Sequence, residues 1–386
     1  MSDLNLEEIR KKIDEVDKGL TRLFEERMDL VIQVAQYKKE NHQKIFDSER
    51  EKRVIEKNKA YLKDHEYDRA LEAFYNGLMA VSRKFQAKQI FSSREADEEY
   101  SALEKLIDNA SMPIHNPKVV YQGVPGAYSE EAMVSIFGEE VQSTNVKEFE
   151  DVFKKLKEED IDYGVLPIEN SSTGSITEVY DFLREYGYYI VGETSIKVDQ
   201  NLLALPGASL DDIKEVFSHQ QGLSQSEAFL KEHDWIQTAF RNTAESAKLV
   251  SEKKDRSLAA IASRRAAQLY GLDILAPSIN FNSNNSTRFI VIGKRLEIDG
   301  SSNKISIIFS APHKAGSLYG ALSYFAENNL NMLRIESRPV VGKSWEYFFY
   351  IDFEGNLRDP VLKKAVAQIE GNSTYFKLLG NYKSHI

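Results

Sequence analysis

Asn284-Asn285-Ser286-Thr287-Arg288-Phe289 runs directly into the apolar stretch Ile290-Val291-Ile292. Amides, hydroxyls and a guanidinium are thereby gathered at the mouth of a buried strand. Such a set suits a small anion that carries a hydroxyl: the cation and amides hold the charge, and a hydroxyl can hand a proton to a leaving group. Polar turns ahead of strands are common, so this run gains weight from others. One is Val165-Leu166-Pro167-Ile168-Glu169-Asn170-Ser171-Ser172-Thr173-Gly174, and another is Ser218-His219. A third, Gly123-Val124-Pro125-Gly126-Ala127-Tyr128-Ser129, follows the strand-like Val119-Val120-Tyr121. Its glycines let backbone N–H groups approach an anion at a helix start, with Ser129 as the expected cap. Its spacing is neither a dinucleotide nor a P-loop motif.

A second chemistry-bearing pattern lies near the N-terminus. Ile13, Val16, Leu20, Leu23, Phe24, Leu30, Val31 and Val34 fall on one face of a helix. Arg27 lies within that stripe, and Lys38 points within ~20° of it at 3.6 residues per turn. Charges centred on a buried face are expensive unless paired. Two aligned cations there suit a dianion as well as they suit a snorkelling or acid-paired arrangement.

The elements that must position these residues change character along the chain. Residues 1–91 read as three helices, with few breakers and dense Glu and Lys. A break is expected at Asn41-His42-Gln43, followed by Asp47-Ser48 as a cap; Ser48 and Glu51 have capping-box spacing. Residues 92–116 read as a linker, with a helical pattern around 100–107. Residues 117–297 alternate strand and helix signals, an α/β pattern with a largely parallel sheet in one domain or two lobes. Residues 304–386 follow the order βαββαβ, the ferredoxin-like arrangement. The polar stretch Glu297–Asn303 between them reads as a hinge between separate cores.

Bulk properties narrow the class. A length of 386 residues favours two or three domains, and the 42% hydrophobic fraction supports several cores. The net charge of −10 argues against nucleic acid as a main partner. No apolar run approaches the ~18 residues of a membrane span, and the charged N-terminus has no apolar signal segment. Without cysteine there is no disulfide frame, thiol nucleophile or thiolate metal site, and a cytoplasmic setting is the simplest expectation. The seven histidines show no metal-ligand spacing.

Residues 6–91 resemble the all-helical chorismate mutases, through Ile9–Asp14, Glu26-Arg27, Val34–Lys38, Asp47–Glu51 and the pair Ser82/Gln86. The resemblance implies an all-α, three-helix domain that forms an intertwined dimer. Chorismate rearranges to prephenate through a pericyclic transition state, so the enzyme works by positioning and electrostatic preorganisation. By resemblance, Arg10, Arg27 and Arg50 hold carboxylates, and Lys38 serves a carboxylate and the ether oxygen. Glu51 accepts from the ring hydroxyl beside Asp47, Gln86 donates to the ether oxygen, and Ser82 lies at a carboxylate. Arg10 is offset by ~80–100° around the helix from Arg27 and Lys38, as expected if it serves the partner's site.

Residues 118–297 resemble prephenate dehydratase, through Gly123–Ser129, Gly164–Gly174, Ser218-His219, Gln225, Thr243–Ala247 and Asn285–Phe289. This implies two α/β lobes like those of periplasmic binding proteins, with the last strand returning to the first lobe. It also implies loss of hydroxyl and carbon dioxide to give phenylpyruvate. Thr287 is the expected proton donor, with Glu169 and His219 as rivals. Asn170, Ser218 and Gln225 orient it and the substrate, and Ser129 and Thr173 help bind carboxylate. Gln220 stands where the family usually has Pro.

Residues 304–382 resemble an ACT domain, a small α+β module that binds amino acids at a dimer interface. Gly316-Ser317-Leu318 and Glu336-Ser337-Arg338-Pro339 match effector motifs of phenylalanine-sensitive dehydratases, with Ser317 in place of Ala. Together the three resemblances imply a bifunctional chorismate mutase–prephenate dehydratase inhibited by L-phenylalanine. They imply a homodimer or tetramer, with no metal or organic cofactor. The rival readings are a non-catalytic aromatic-acid sensor, or an enzyme with one active site.

Overall fold

The computed structural model describes residues 5–41, 47–92, 102–158, 160–282, 284–311, 313, 316–340, 345–371 and 373–384. The chain divides into two compact units, Met1–Glu99 and Tyr100–Ile386.

The first unit is helical: α1 (Leu6–Glu40), α2 (Ser48–Lys59) and α3 (Asp68–Ser92). Asn5 caps α1 by accepting from the Glu7 N–H, and Lys38 and Lys39 complement the dipole at its far end. The break expected at 41–43 follows α1; residues 42–46 lie outside the described residues. Asp47 caps α2, accepting from Arg50 N at 2.9 Å, and Ser48 is the first residue of the helix. Met28, Val31 and Ala35 are the buried residues of α1. The rest of the expected apolar stripe, Ile13, Val16, Leu20, Leu23, Phe24, Leu30 and Val34, is 40–62% exposed. A helix of 35 residues spans ~50 Å, and the shorter α2 and α3 cover only part of its length.

The second unit opens with α4 (Ala102–Asp108), inside the segment expected as a linker. The first lobe follows: β1 (Lys118–Gln122), α5 (Tyr128–Phe137), β2 (Gln142–Val146), α6 (Phe149–Lys155), β3 (Tyr163–Asn170), β4 (Gly174–Ser175), α7 (Thr177–Tyr186) and β5 (Tyr189–Lys197). The chain then builds the second lobe from β6 (Asn201–Ala204), β7 (Glu215–Ser218), α8 (Gln220–Gln225), α9 (Glu227–Leu230), β8 (Ile236–Ala239), α10 (Thr243–Lys253), β9 (Leu258–Ala262), α11 (Arg264–Tyr270) and β10 (Asp273–Ala276). It returns as β11 (Ser286–Gly293), which enters the first lobe's sheet, ordered β2-β1-β3-β11-β5 with β4 paired to β3. That return was expected. Its antiparallel pairing to both β3 and β5 makes the sheet more mixed than the expected parallel one. The second sheet runs β10-β6-β9-β7-β8.

The C-terminal part is β12 (Lys304–Ser310), α12 (Ser317–Glu327), β13 (Met332–Pro339), β14 (Tyr347–Glu354), α13 (Pro360–Gly371) and β15 (Tyr375–Tyr382). Its antiparallel sheet, β13-β14-β12-β15, has the expected βαββαβ connectivity. It shares cores with its neighbours. Ile308, Phe348, Tyr350, Leu379 and Tyr382 are buried in one cluster with Val120, Leu166 and Ile290 of the first lobe. Leu103 and Ile107 of α4 are buried with Leu296, Ile298, Ile305 and Phe353 in another. Leu296 and Ile298 are 2% and 1% exposed, so the chain enters β12 through a core rather than the expected exposed hinge. The polar residues of 297–303 concealed this because the flanking apolar side chains alternate with them.

Candidate active sites

In the second unit, β3 and β11 lie side by side with Asn170 opposite Thr287. Asn170 Oδ1 accepts from the backbone N–H groups of Ser172 and Thr173 at 2.9 and 3.1 Å, and from Thr173 Oγ1 at 3.3 Å. Those donors fix the amide's orientation. Its NH₂ group must then face Thr287 Oγ1, Asn285 Oδ1 and Ser286 O, at 2.9, 2.8 and 3.2 Å. Thr287 is consequently an acceptor in this bond, and its own proton meets no acceptor among the described residues. A hydroxyl so held can donate to a molecule placed against it.

The other residues expected here divide between the lobes. Ser129 is buried on α5 but is not its cap: the helix starts at Tyr128, and Ala127 occupies the cap position without a side-chain bond. Thr173 is exposed in the β3–β4 turn. Ser218, fully buried at the end of β7, donates to Ile261 O at 2.8 Å. Gln225 Oε1 accepts from Gln200 Nε2 at 3.2 Å. His219 caps α8 through Nδ1, a loop-ordering part, and Gln220 is the first residue of that helix. The lobes touch at the 123–129 turn. Ser263 Oγ donates to Gly126 O at 3.1 Å and Tyr270 Oη to Pro125 O at 2.8 Å. Gly126, at φ +88°, leaves room for this approach, because a Cβ there would meet the Ala266 backbone at 3.3 Å.

Glu169, a rival proton donor in the sequence, faces the other way. Its carboxylate is 3.2 Å from Arg288 Nη2 and 3.4 Å from Arg334 Nε. Arg288 also reaches Glu193 and Asp352, at 3.1 and 3.0 Å. Burial opposes the charge on Arg288, but Asp352, Glu193 and Glu169 outweigh it and raise its pKa. Sequence reasoning missed this cluster and Gln200. The available signals were a charge inside the strand Tyr189–Lys197 and a lysine opening Lys304–Ser310.

In the helical unit, Arg27 Nη1 donates to Ser82 Oγ at 2.5 Å, and Ser82 Oγ to Leu78 O at 2.7 Å. Partial burial lowers the Arg27 pKa. Gln86 is buried one turn beyond Ser82, with Oε1 unpartnered among the described residues. Glu51 receives Arg83 Nη1 on both oxygens, at 2.5 and 2.6 Å. Arg83 was missed, although it adjoins Ser82 in sequence. Lys38 is half-buried, and Arg10, Asp47 and Arg50 are exposed. Arg10 and Arg27 are on one helix, ~25 Å apart along its axis, so a single chain does not bring them together.

At the C-terminal part, Gly316 takes the cap position of α12 at φ +81°, and Ser317 and Leu318 open the helix. Along β13, Ser337 and Pro339 are exposed, whereas Glu336 and Arg338 turn toward the first lobe. Glu336 accepts from Ser175 Oγ at 2.8 Å, and Arg338 donates to Asp181 at 2.7 Å. Two of the four effector-motif residues on β13 are thus engaged with the α/β part.

Family models match in three places: chorismate mutase type II over residues 9–87, prephenate dehydratase over 119–297 and ACT domain over 305–371. The chain is 30% identical over 389 residues to a bifunctional chorismate mutase/prephenate dehydratase of Neisseria gonorrhoeae, covering 98% of this chain and 96% of that one. It is 31% identical over 379 residues to the bifunctional chorismate mutase/prephenate dehydratase of Aquifex aeolicus, covering 98% and 97%. A prephenate dehydratase from Arthrobacter aurescens, solved in complex with L-Phe, aligns with a TM-score of 0.62 and 27% identity over 69% of this chain and 89% of that one.

Proposed function

This chain belongs to the bifunctional chorismate mutase/prephenate dehydratases, and from that premise we propose which of its side chains carry each reaction. Its helical unit converts chorismate to prephenate. Arg27 and Lys38 hold carboxylates from one face of α1, Ser82 steadies Arg27, and Gln86 donates to the ether oxygen. Arg50 adds a cation, and Glu51 with Asp47 takes the ring hydroxyl. The exposed apolar stripe of α1 supports a homodimer or larger assembly, in which Arg10 serves the partner's site.

Its α/β part converts prephenate to phenylpyruvate. Thr287 gives its proton to the ring hydroxyl as the C–O bond breaks. The electron pair of the breaking C–CO₂ bond completes the aromatic ring, water and carbon dioxide leave, and solvent returns a proton to Thr287. The observation that carries this reading is the fixed Asn170 amide, which makes Thr287 Oγ1 an acceptor and leaves its proton unspent. Ser129 and Thr173 bind carboxylate from the first lobe, and Ser218 and Gln225 border the site from the second. Phenylalanine is the effector of the ACT domain, at Gly316, Ser317 and Leu318 with strand residues 336–339; the L-Phe complex of the Arthrobacter enzyme supports this. We also assign the enzyme to the cytoplasm.

Chorismate mixed with the protein tests the reading. Its ultraviolet absorbance should fall, and alkali should then reveal phenylpyruvate. Chorismate consumed without phenylpyruvate would leave only the mutase, and no consumption would leave a sensor.

A further inference from the structure

Side chains alternate between the faces of a strand. Across β3 and β11 the register pairs Asn170 with Thr287 and, one residue along, Glu169 with Arg288. The proposed reactive pair and the ion pair are therefore back to back on the same two strands. The ion pair is held largely from the C-terminal domain. Asp352 of β14 lies 3.0 Å from Arg288, and Ser306 Oγ of β12 donates to Asp352 at 2.6 Å. Arg334 of β13 lies 3.4 Å from Glu169 and donates to Ser175 Oγ, on β4, at 2.6 Å. Lys304 of β12 meets Glu193, which also contacts Arg288, at 2.8 Å. The C-terminal sheet thus grips both the β3–β4 hairpin and β11.

Glu193 is 0% and Arg288 9% exposed. Charges that deep must keep their partners, because an uncompensated one is strongly unfavourable. The cluster borders a cavity of ≈ 320 Å³.

We propose that Asp352 and Arg334 are positioning residues for the dehydration: from the C-terminal domain they hold the Glu169–Arg288 pair and thereby set the geometry of Asn170 and Thr287 on the opposite face. The role rests on the assignment of Asn170 and Thr287 as the reactive pair. It also gives the domain that binds effector a mechanical hold on the strands that do the chemistry.

Asp352→Asn keeps the size of the side chain and an acceptor for Ser306 but removes the charge. In the full chain, assayed well below its melting temperature with supplied prephenate, kcat should fall about ten-fold with KM changed less than two-fold. Mutase turnover of the same sample should be unchanged, and the phenylalanine concentration for half inhibition should rise. Arg334→Gln, which leaves Arg288 its other partners, should act in the same direction more weakly. A purely structural role would lower the melting temperature and leave kcat of the folded protein alone. Native kcat in both variants, folded by circular dichroism, overturns the proposal. Thr287→Val run alongside separates the two readings. Full activity there sinks the site assignment. An inactive Thr287→Val beside fully active Asp352→Asn and Arg334→Gln sinks the positioning role alone.

Discussion

Arg27 Nη1 lies 2.5 Å from Ser82 Oγ, although 55 residues separate the two in sequence. The contact ties α1 to α3 where Met28 and Met79 are buried, and it aims a guanidinium that would otherwise be free to swing. Preorganised charge of this kind is what a rearrangement without proton transfer can use.

Arg27→Ala should lower mutase turnover by ~10²–10³-fold, the usual effect of losing one preorganised donor. Dehydration of supplied prephenate should stay near normal. Parallel assays of one sample decide the matter; equal loss of both activities in a folded variant would contradict separate sites.

Thr287→Val preserves shape without the hydroxyl, whereas Thr287→Ser keeps it. Dehydratase turnover should fall ~10²-fold or more in the first and largely survive in the second. Prephenate binding, followed by calorimetry, should persist in the Val variant.

Gly316→Val should abolish phenylalanine inhibition while sparing dehydratase activity. At φ +81° a β-branched residue costs on the order of 1–3 kcal/mol, and the helix start must rearrange to relieve it. The check is dehydratase rate against phenylalanine concentration; an inhibition curve that overlays the original would remove Gly316 from the effector site.

A chain ending at Arg295 should keep mutase activity and lose the dehydratase. The separate cores expected from sequence would have left both intact. Removal of Ile308, Phe348, Tyr350, Leu379 and Tyr382 uncovers the first lobe's core. At ~2 kcal/mol for each buried side chain, that is a large part of a domain's ~5–15 kcal/mol. Thermal melting and both assays on the shortened chain test this; full dehydratase activity with an unchanged melt would refute it.

Glu297 provides a pH test. Burial, partly opposed by a hydrogen bond from Tyr163, pushes its pKa up to about 7 from 4.5. An acid with a raised folded pKa binds its proton more tightly when folded, so its stabilising share is full below 4.5 and declines as pH rises toward 7. Glu297→Gln should remove that decline, so its melting temperature should gain on the native protein between pH 5 and 8. Parallel melting curves across that range would exclude Glu297 as the source.

The fold was legible where local pattern and tertiary structure agree. The C-terminal βαββαβ order appears as the pattern predicts, and β11 returns to the first lobe as the dehydratase resemblance implied. The encounter of Asn170 with Thr287 was carried by resemblance, and the hydrogen bonds supply its direction. Other features depend on information a single sequence does not hold. Arg288 is 64 residues from Asp352 and 95 from Glu193. A charge in an apolar strand announces that it needs a partner but not which one. Asp47 caps α2 as expected, whereas Ser129 is a cap by residue type only: α5 begins one residue earlier, at Tyr128, with Ala127 in the cap position. Most of the apolar stripe on α1 is exposed among the described residues, so helical periodicity marked a face without marking its burial.

The place of β11 in the chain also sets an order of assembly. It bridges β3 and β5 in the first lobe's sheet, yet the whole second lobe is translated between β5 and β11. As the polypeptide emerges from the ribosome, the second lobe can close on contacts within itself. The first waits with two unbridged strand edges, an exposure that invites wrong pairing. Only when residue 293 is out can β11 be seated, and the C-terminal sheet that covers it comes later still. A nascent chain therefore carries the whole sequence of its mutase site long before it can dehydrate anything.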